Sequence, residues 1–245
     1  MKRKTVILIG SEGLIGNNFK NFLLRKDLNV LAVDVKNRQN TNKGNFIYLK
    51  KDISKPKTIN DAVKIAEKFF FGADYVIDCS YPYMKLRKNL SSKNIKILRK
   101  NLAVNITNPI MICEMFCEYF KKKKKIGNII LMGSIQGIMA PKFDHYKKTD
   151  MNSPVEYTVL KFGIVGIVKY FAKFYGKNNI NINCISPGGI LNNQTNIFLK
   201  NYKKDCLTKG MLNPSDLNSA LDFLMSEDSK MVNGQNIVID DGWSL

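Results

Sequence analysis

The sequence predicts an α/β fold, a doubly wound parallel β-sheet with helices on both faces, built as a single domain over residues 1–245. Short apolar runs alternate with amphipathic, helix-like segments along the whole chain, as in repeated βαβ units. A glycine-rich turn follows the first apolar run, and an acidic residue ends the second. A length of 245 residues and an apolar fraction of 44% suit one large core and leave no room for a second catalytic domain.

Four strands are predicted in the first half of the chain, because four segments are short, apolar and rich in β-branched or aromatic residues. They cover residues 5–9, 30–33, 46–49 and 75–78. Amphipathic helices are expected between them, most clearly around Phe19 and over residues 59–70. A long helix over about 95–120 follows, and the basic residues 85–100 should lie on the surface.

In the second half, strands are predicted over residues 128–132, 180–185 and 234–240. One helix covers 157–175, and another begins at the cap Pro214-Ser215-Asp216 and runs through Leu224. Segment 135–156 lies beside a candidate catalytic pair and is long enough to be a binding element or a lid. Segment 191–212 is polar and should be mobile. We expect these two segments to carry the substrate specificity.

The turn after the first strand has the sequence Gly10-Ser11-Glu12-Gly13-Leu14-Ile15-Gly16. Glycines allow a tight turn and let a pyrophosphate approach the backbone, while the free N–H groups at the start of the next helix bind its charge. Asp34 ends the second strand eighteen residues after Gly16. A carboxylate there accepts hydrogen bonds from the adenosine ribose hydroxyls of a dinucleotide. The alternative is that Asp34 only caps the following turn.

The charges around Asp34 favour NAD over NADP as the cofactor. A carboxylate at this place repels a 2′-phosphate, and Glu12 is expected to add to that repulsion. Lys36 and Arg38 are cations that argue in the other direction. Further cofactor contacts are predicted at the carboxyl ends of later strands, where ligands of such folds bind. These residues are Asp52, Ile53, Cys79, Ser80, Pro187, Gly188, Gly189 and Ile190.

The spacing Y-x-x-x-K places a phenol and an ammonium on one face of a helix, and the ammonium can stabilise a phenolate there. The pattern occurs three times, at Tyr81/Lys85, Tyr119/Lys123 and Tyr157/Lys161. Pro82 disfavours a helix through the first pair, and the second ends in a run of lysines typical of a solvated helix end. Only Tyr157/Lys161 follows a strand ending in Gly133-Ser134, so we interpret it as the functional pair.

Two other polar residues have uncertain roles on the residues alone. Asn105 lies within an apolar helical segment, where it is either functional or an ordinary hydrogen-bonded core asparagine. His145 is the single histidine, and a loop histidine is a better interpretation of it than a catalyst. The cysteine pair Cys113/Cys117 shares a helix face without a partner histidine, which predicts core packing and no metal site.

The formal net charge of +19 is spread along the chain rather than gathered into a tail or stripe, so nucleic acid is not the expected partner. An anionic substrate such as a phosphorylated or nucleotide-linked sugar explains the excess more economically. Five cysteines, an odd number in apolar or helical surroundings, indicate reduced thiols and a cytoplasmic location. No apolar run is long enough to span a membrane, so no membrane partner is expected.

Taken together, these motifs resemble the short-chain dehydrogenase/reductase family, specifically its compact branch with one Rossmann-type NAD(P)-binding domain. The carrying residues are Gly10-x-x-Gly13-x-x-Gly16, Asp34, Asp52, Asn105, Gly133-Ser134, Tyr157-x-x-x-Lys161, Pro187-Gly188-Gly189 and the closing segment 234–242. Segments 138–143, 153–157 and 183–190 look like bacterial oxidoreductases of flagellin modification and surface-polysaccharide synthesis, which serve nonulosonate-type sugar pathways. Two departures stand out: the glycine spacing is closer to the sugar-epimerase branch, and Asp78-Cys79-Ser80-Tyr81 replaces the usual Asn-Asn-Ala-Gly.

The resemblance implies an NAD(P)-dependent oxidoreductase that interconverts an alcohol and a carbonyl on a sugar or sugar-phosphate. Tyr157 would exchange a proton with the substrate oxygen, and Ser134 would hydrogen-bond that oxygen. Lys161 would stabilise the phenolate and hold the nicotinamide ribose, and Asn105 would complete a water-linked proton relay to Lys161. The alternatives are a sugar epimerase or dehydratase that uses NAD transiently, and a non-catalytic dinucleotide-sensing protein.

The helices over 101–120 and 157–175 have apolar faces broader than one sheet can cover. They predict a homodimer or homotetramer built on those helices.

Overall fold

A computed structural model describes residues 3–36, 41–82 and 92–245 of the chain. Within these ranges the backbone forms eight strands and six α-helices. The strands are β1 (Thr5–Ile9), β2 (Asn29–Asp34), β3 (Thr41–Lys43), β4 (Phe46–Lys50), β5 (Tyr75–Asp78), β6 (Gly127–Met132), β7 (Ile180–Pro187) and β8 (Asn236–Ile239). The helices are α1 (Leu14–Arg25), α2 (Pro56–Phe70), α3 (Ser92–Lys123), α4 (Val155–Tyr175), α5 (Asn196–Lys203) and α6 (Asn218–Met225).

The strands form a single sheet in the order β3-β4-β2-β1-β5-β6-β7-β8. All neighbours are parallel except β3, which pairs antiparallel with β4. The predicted doubly wound parallel fold is therefore confirmed. The edge strand β3 was not predicted, because Thr41-Asn42-Lys43 is polar and pairs through its backbone rather than through an apolar pattern.

Helices cover both faces of the sheet because alternate strand residues point to opposite sides. In β1, Val6 and Leu8 belong to a core shared with α1 and α6. Ile7 and Ile9 belong to a second core shared with α2, α3 and α4. The central strands, such as β1 and β6, are buried on both faces as a result, which explains their continuous apolar sequences.

The strand register places the candidate site at one edge. Ile9 pairs with both Val33 and Asp78, so β1, β2 and β5 end level with one another. The order of the strands reverses between β1 and β5, which opens a crevice above their carboxyl ends.

The largest difference from the sequence prediction lies in segment 191–212, which was expected to be polar and mobile. It contains helix α5, and its side chains Phe198 and Tyr202 are buried in a small core with Trp243. These two apolar residues stand four apart on one helix face, but the surrounding polar residues hide the pattern.

Smaller differences concern helix ends and the neighbouring loop. Helix α4 begins at Val155, which places Tyr157 in its first turn, and α3 begins at Ser92 rather than near residue 95. The predicted loop 135–156 includes two short 3₁₀ helices, Ile135–Gly137 and Phe143–Tyr146. Arg38, Lys85 and the basic residues up to 91 lie outside the described ranges.

Candidate active site

The glycine turn packs tightly against the end of β5. Gly10 has φ +74°, and a Cβ at this residue would stand 2.6 Å from the backbone nitrogen of Ser80. A Cβ at Gly16 would stand only 2.1 Å from the carbonyl oxygen of Gly10. The same oxygen accepts a hydrogen bond of 3.1 Å from the N–H of Gly13. Gly10 is therefore required by its close backbone contact and its left-handed conformation, and Gly16 by its close backbone contact alone.

The turn leaves the start of α1 suited to an anion. Gly13 is the N-cap of α1 and provides no side-chain cap for the first N–H groups. These groups retain hydrogen-bonding capacity and the positive end of the helix dipole. The arrangement fits the pyrophosphate of a dinucleotide.

Asp34 both braces the turn and borders the groove above it. Its carboxylate accepts hydrogen bonds from the backbone N–H of Glu12 (2.9 Å) and of Lys36 (3.0 Å). The predicted turn-capping role is thus present, and each oxygen keeps a further lone pair for ribose hydroxyls. The expectation that Glu12 adds to the repulsion of a 2′-phosphate stays a prediction, and the buried ammonium of Lys20 pairs with the Glu12 carboxylate at 2.5 Å.

A groove beside the glycine turn is lined by several of the predicted cofactor residues. They include Gly10, Gly13, Asp34, Asp52, Ile53 and Ser80. The Asp52 carboxylate accepts a 2.9 Å hydrogen bond from Ser54 N, which shapes the entry into α2. Ser11, Glu12, Leu14 and Gly16 do not line this groove. Ser11 is fully buried, and Leu14 is exposed on the surface of α1.

The groove continues into a cleft of about 450 Å³ in which the predicted catalytic residues meet. Ser134, Tyr157 and Lys161 all line it. The other predicted residues in its wall are Ile15, Cys79, Ser80, Pro187, Gly188, Gly189 and Ile190. Strand β6 delivers Ser134, α4 carries the tyrosine and lysine, and β7 supplies the glycine-rich wall, so three neighbouring elements converge at one edge.

Lys161 is buried and held by its contacts, which is unusual for a lysine. Its Nζ donates a 2.9 Å hydrogen bond to the carbonyl of Met132. It also lies 5.6 Å from the ring centroid of Tyr157 and 5.2 Å from that of Tyr81. The two tyrosine rings pack edge to face at 5.5 Å. The ammonium and the phenol of the Y-x-x-x-K pair are thus held side by side.

Ser134 and Asn105 are fixed by local hydrogen bonds. Ser134 caps the 3₁₀ helix that follows, and its Oγ accepts a 3.2 Å bond from Gln136 N, which leaves the hydroxyl hydrogen able to donate. Asn105 Nδ2 donates to the carbonyls of Pro82 (2.8 Å) and Asn101 (3.0 Å). Asn105 does not bond Lys161 directly, but both line a small cavity between α3 and α4.

The far wall of the cleft contains residues that sequence reasoning missed. Gln136 and Ser153 line the cleft, and Gln136 Oε1 accepts hydrogen bonds from Ser153 (2.7 Å) and from Thr158 (3.0 Å), which lies outside the lining. An aromatic group of His145, Phe198, Tyr202 and Trp243 forms the opposite side. The signal in the sequence was the cluster of aromatic and amide residues within the two segments expected to bind substrate.

His145 lies in the wall of the cleft, and its interpretation as a loop histidine rather than a catalyst stays a prediction. It is buried among the aromatic rings, and Asp205 pairs with its Nε2. That hydrogen bond holds the pKa of the Asp205 carboxyl below its usual range. The Lys142 ammonium pairs with the same carboxylate at 3.3 Å.

The replaced motif after β5 has distinctive electrostatics. Burial raises the pKa of the Asp78 carboxyl, against the opposing effects of hydrogen bonds from Ser80 and the charge of Lys161. Burial also raises the pKa of the Cys79 thiol well above its ordinary value. Among the residues described, no His, Cys, Asp or Glu cluster could hold a metal ion, and no helix is long and apolar enough to cross a bilayer.

Sequence comparisons identify relatives over the whole chain. A family model described as enoyl-(acyl carrier protein) reductase matches residues 15–244. The post-translational flagellin modification protein A of Campylobacter coli is 35% identical over 256 residues, which cover 100% of both chains. The 7α-hydroxysteroid dehydrogenase of Bacteroides fragilis is 35% identical over 124 residues, 49% of this chain and 44% of that protein.

Solved structures agree with this. A short-chain dehydrogenase from Leptospira borgpetersenii with bound NAD⁺ superposes with a TM-score of 0.88 at 29% identity, covering 100% of this chain and 94% of that one. A 4-hydroxyisoleucine dehydrogenase complexed with NADH has a TM-score of 0.80 at 24% identity and covers 99% of each chain. The second likeness supports the fold alone.

Proposed function

The chain belongs to the short-chain dehydrogenase/reductase family of oxidoreductases, and from this premise we propose that it interconverts an alcohol and a carbonyl on a small sugar-type substrate. The pathway we propose is the biosynthesis of nonulosonate-type glycans for flagellin or for the cell surface. The observation that carries the catalytic part is the meeting of Ser134, Tyr157 and Lys161 in one cleft that continues from the glycine turn.

Each of the three residues has a distinct chemical task. Tyr157 exchanges a proton with the substrate oxygen, and the Ser134 hydroxyl donates a hydrogen bond to the same oxygen. The Lys161 ammonium, held by the Met132 carbonyl, stabilises the phenolate and reaches the nicotinamide ribose. The nicotinamide dinucleotide, when bound, accepts or supplies the hydride.

Asn105 completes the proposed proton path. It shares a cavity with Lys161, and its side-chain nitrogen is fixed by two carbonyls. The amide oxygen of Asn105 then remains to accept a hydrogen bond from a water within that cavity. Such a water would hydrogen-bond Asn105 and Lys161 and form one link of the path by which Tyr157 regains from solvent the proton that it gives to the substrate oxygen.

The walls of the cleft support a sugar substrate. A sugar ring has polar edges, formed by its hydroxyl groups, and apolar faces, formed by its C–H groups. The amide and hydroxyl groups of Gln136 and Ser153 suit the edges, and the aromatic rings of Tyr202 and Trp243 suit the faces. The name of the Campylobacter relative, a flagellin modification protein, points in the same direction. A phosphorylated or nucleotide-linked form of the sugar is also consistent with the net charge of +19.

We propose NAD rather than NADP as the preferred cofactor. The Asp34 carboxylate stands at the tip of β2 beside the glycine turn, where it accepts ribose hydroxyl bonds and repels a 2′-phosphate. The Lys36 ammonium is held away from a role in binding a 2′-phosphate, because its Nζ donates a hydrogen bond to the carbonyl oxygen of Glu12 at 2.5 Å. The cofactor preference can be tested by measuring the Kd of NADPH and the Kd of NADH. In the Asp34→Asn variant the two values should lie closer together.

The active molecule is proposed to be a homodimer or homotetramer that assembles through α4. Five large apolar residues form a stripe along this helix with the spacing of one face, and each is between 47% and 73% exposed. They are Val155, Val159, Phe162, Tyr170 and Phe174. An apolar stripe of this length normally belongs to an interface. The five cysteines are free thiols, consistent with a reducing cytoplasm.

The variant Tyr157→Phe tests the catalytic proposal. It removes only the hydroxyl and keeps the ring that packs on Tyr81, so NADH should still bind. Turnover should fall by about 10²- to 10⁴-fold, the usual contribution of a positioned acid–base group. The assay follows reduced nicotinamide absorbance over a panel of phosphorylated and nucleotide-linked sugars.

The matched control is Tyr119→Phe. Tyr119 belongs to another Y-x-x-x-K pair, but its hydroxyl accepts a 3.1 Å bond from Ala73 N away from the cleft. The control should keep its turnover. Undiminished turnover in Tyr157→Phe would refute the assigned role.

An epimerase or dehydratase remains the second candidate, because the glycine spacing of Gly10, Gly13 and Gly16 resembles that branch. The two reactions differ in their demand for cofactor. Net reduction consumes one NADH per product, whereas an epimerase regenerates its NAD in each cycle.

A further inference from the structure

Asp78 occupies an unusual place for a carboxylate. It ends β5 on the sheet face that carries Val76, which α3 and α4 cover, and its exposure is only 5%. Buried carboxylates are expensive unless other groups compensate the charge. The chain nevertheless has Asp78 where the related motif usually has asparagine, an uncharged residue of the same shape.

Its hydrogen bonds leave half of the carboxylate unused. Ser80 donates to the same oxygen, Oδ1, through both its backbone N–H (2.9 Å) and its hydroxyl (2.6 Å). No hydrogen bond from the described part of the chain reaches Oδ2. The second oxygen therefore retains capacity for another donor.

A small cavity adjoins this carboxylate. Its lining includes Asp78, Asn105, Asn108 and Lys161. The space open to the centre of a water molecule is about 20 Å³. That space suits one water molecule. The side-chain nitrogen of Asn108 is buried with no hydrogen-bond partner among the described residues, and a buried amide donor of this kind normally bonds a water or a ligand.

The charges that face the cavity are few. Lys161 of α4 is 8% exposed, and burial of an ammonium requires a compensating negative charge. The thiols nearby are Cys79 after β5, Cys113 of α3 and Cys184 of β7, and burial raises the pKa of all three. Among the described residues, the phenols of Tyr81 and Tyr157 complete the titratable groups near the cavity. Asp78 is therefore the carboxyl group in the described part of the cavity wall that can balance the charge of Lys161.

We propose that Asp78 is a positioning residue for the reaction: through a single water in this cavity, its carboxylate holds the ammonium of Lys161 on the cavity side and so limits how strongly Lys161 stabilises the Tyr157 phenolate. The inference rests on the proposed function and adds a residue to it. It also gives a reason for a buried acid in place of asparagine, since an uncharged amide binds a water but does not balance the lysine.

The variant Asp78→Asn tests this, because asparagine keeps the shape and can still accept both bonds from Ser80. With the negative charge gone, Lys161 stabilises the phenolate of Tyr157 without opposition. In the pH profile of kcat/KM for the oxidation reaction, the rise in kcat/KM should then occur about one pH unit lower. The melting temperature and the Kd for NADH should change little.

A second measurement needs no substrate. The ultraviolet absorbance of tyrosinate is titrated in the NAD⁺-bound protein, and the signal of the corresponding Tyr157→Phe protein is subtracted. The Tyr157-dependent signal should appear about one pH unit earlier in Asp78→Asn than in the parent. The matched control is Asp74→Asn, which removes the same charge at the opposite end of β5, where Asp74 bonds Thr5 N and Lys125. This control should not move either curve.

Three outcomes would overturn the inference. Both curves could stay in place, the rate could fall equally at every pH, or Asp78→Asn could fail to fold, which would make Asp78 a residue of the fold alone. These results differ from failure of the proposed function, which would appear as full turnover in Tyr157→Phe whatever the behaviour of Asp78→Asn.

Discussion

Replacing Gly16 with alanine should damage the fold and cofactor binding together. The new Cβ would stand 2.1 Å from the carbonyl oxygen of Gly10, 2.9 Å from its carbonyl carbon and 3.0 Å from the Cα of Ser11. All three are backbone atoms, so no side chain can rotate away. The methyl group also pushes on the oxygen that accepts the Gly13 N–H, which closes the turn.

The size of the effect follows from the overlap. The Cβ and the oxygen must separate by about 0.9 Å to reach 3.0 Å, and such overpacking costs about 1–3 kcal/mol. For a chain of this length each kcal/mol lowers Tm by about 2–4 °C. We therefore expect Gly16→Ala to lower Tm by roughly 2–12 °C and to weaken NADH binding, because the turn that holds the pyrophosphate must open.

Two other glycines provide controls for this prediction. At Gly13 an added Cβ would meet only the Gly10 oxygen at 3.4 Å, and φ is −76°, so alanine fits the fold. Gly13→Ala should keep Tm within about 2 °C but still weaken NADH binding, since its methyl group occupies space for the pyrophosphate. At Gly166, within α4, a Cβ meets nothing within 4 Å, and Gly166→Ala should raise stability by up to about 1 kcal/mol.

The measurements are thermal unfolding without cofactor and calorimetric titration with NADH. The reasoning is refuted if Gly16→Ala melts no lower than Gly13→Ala. It is also refuted if Gly16→Ala binds NADH as tightly as the parent protein.

Three further predictions address other parts of the molecule. The substitution Phe174→Asp places a charge within the exposed apolar stripe of α4 and should convert an oligomer into monomers by light scattering, and a monomeric parent protein would contradict the proposed assembly. Asp205→Asn should lower Tm at neutral pH, because the hydrogen bond with His145 holds the carboxyl pKa low and its stabilisation is present above the ordinary carboxyl range. That stabilisation is lost as pH falls through the pKa of Asp205 in the folded protein, so the difference in Tm between Asp205→Asn and the parent protein should disappear in acid. A difference that stays constant with pH would contradict this prediction. Burial raises the pKa of Cys113, so this thiol should resist alkylation at neutral pH until the protein unfolds, and rapid labelling of the folded protein would show that it is accessible.

The sequence was sufficient for the fold because its signals are local. Apolar strands such as β1 and amphipathic helices such as α2 have periods that a short window reveals, and the predicted 75–78 strand has the observed bounds. The approach of Tyr157 and Lys161 could also be predicted, because a spacing of four on a helix fixes it. The sequence did not predict helix α5, because only Phe198 and Tyr202 mark its buried face.

What the sequence determined by itself is therefore the chain of βαβ units, the glycine turn and the tyrosine–lysine pair, all of which depend on neighbours within a few turns. Only the tertiary structure decided which charges meet. For example, Lys161 faces Asp78, which lies 83 positions earlier in the chain. No periodic pattern encodes such pairs, because their separation is set by how β5, α3 and α4 pack and not by the spacing of residues along one element.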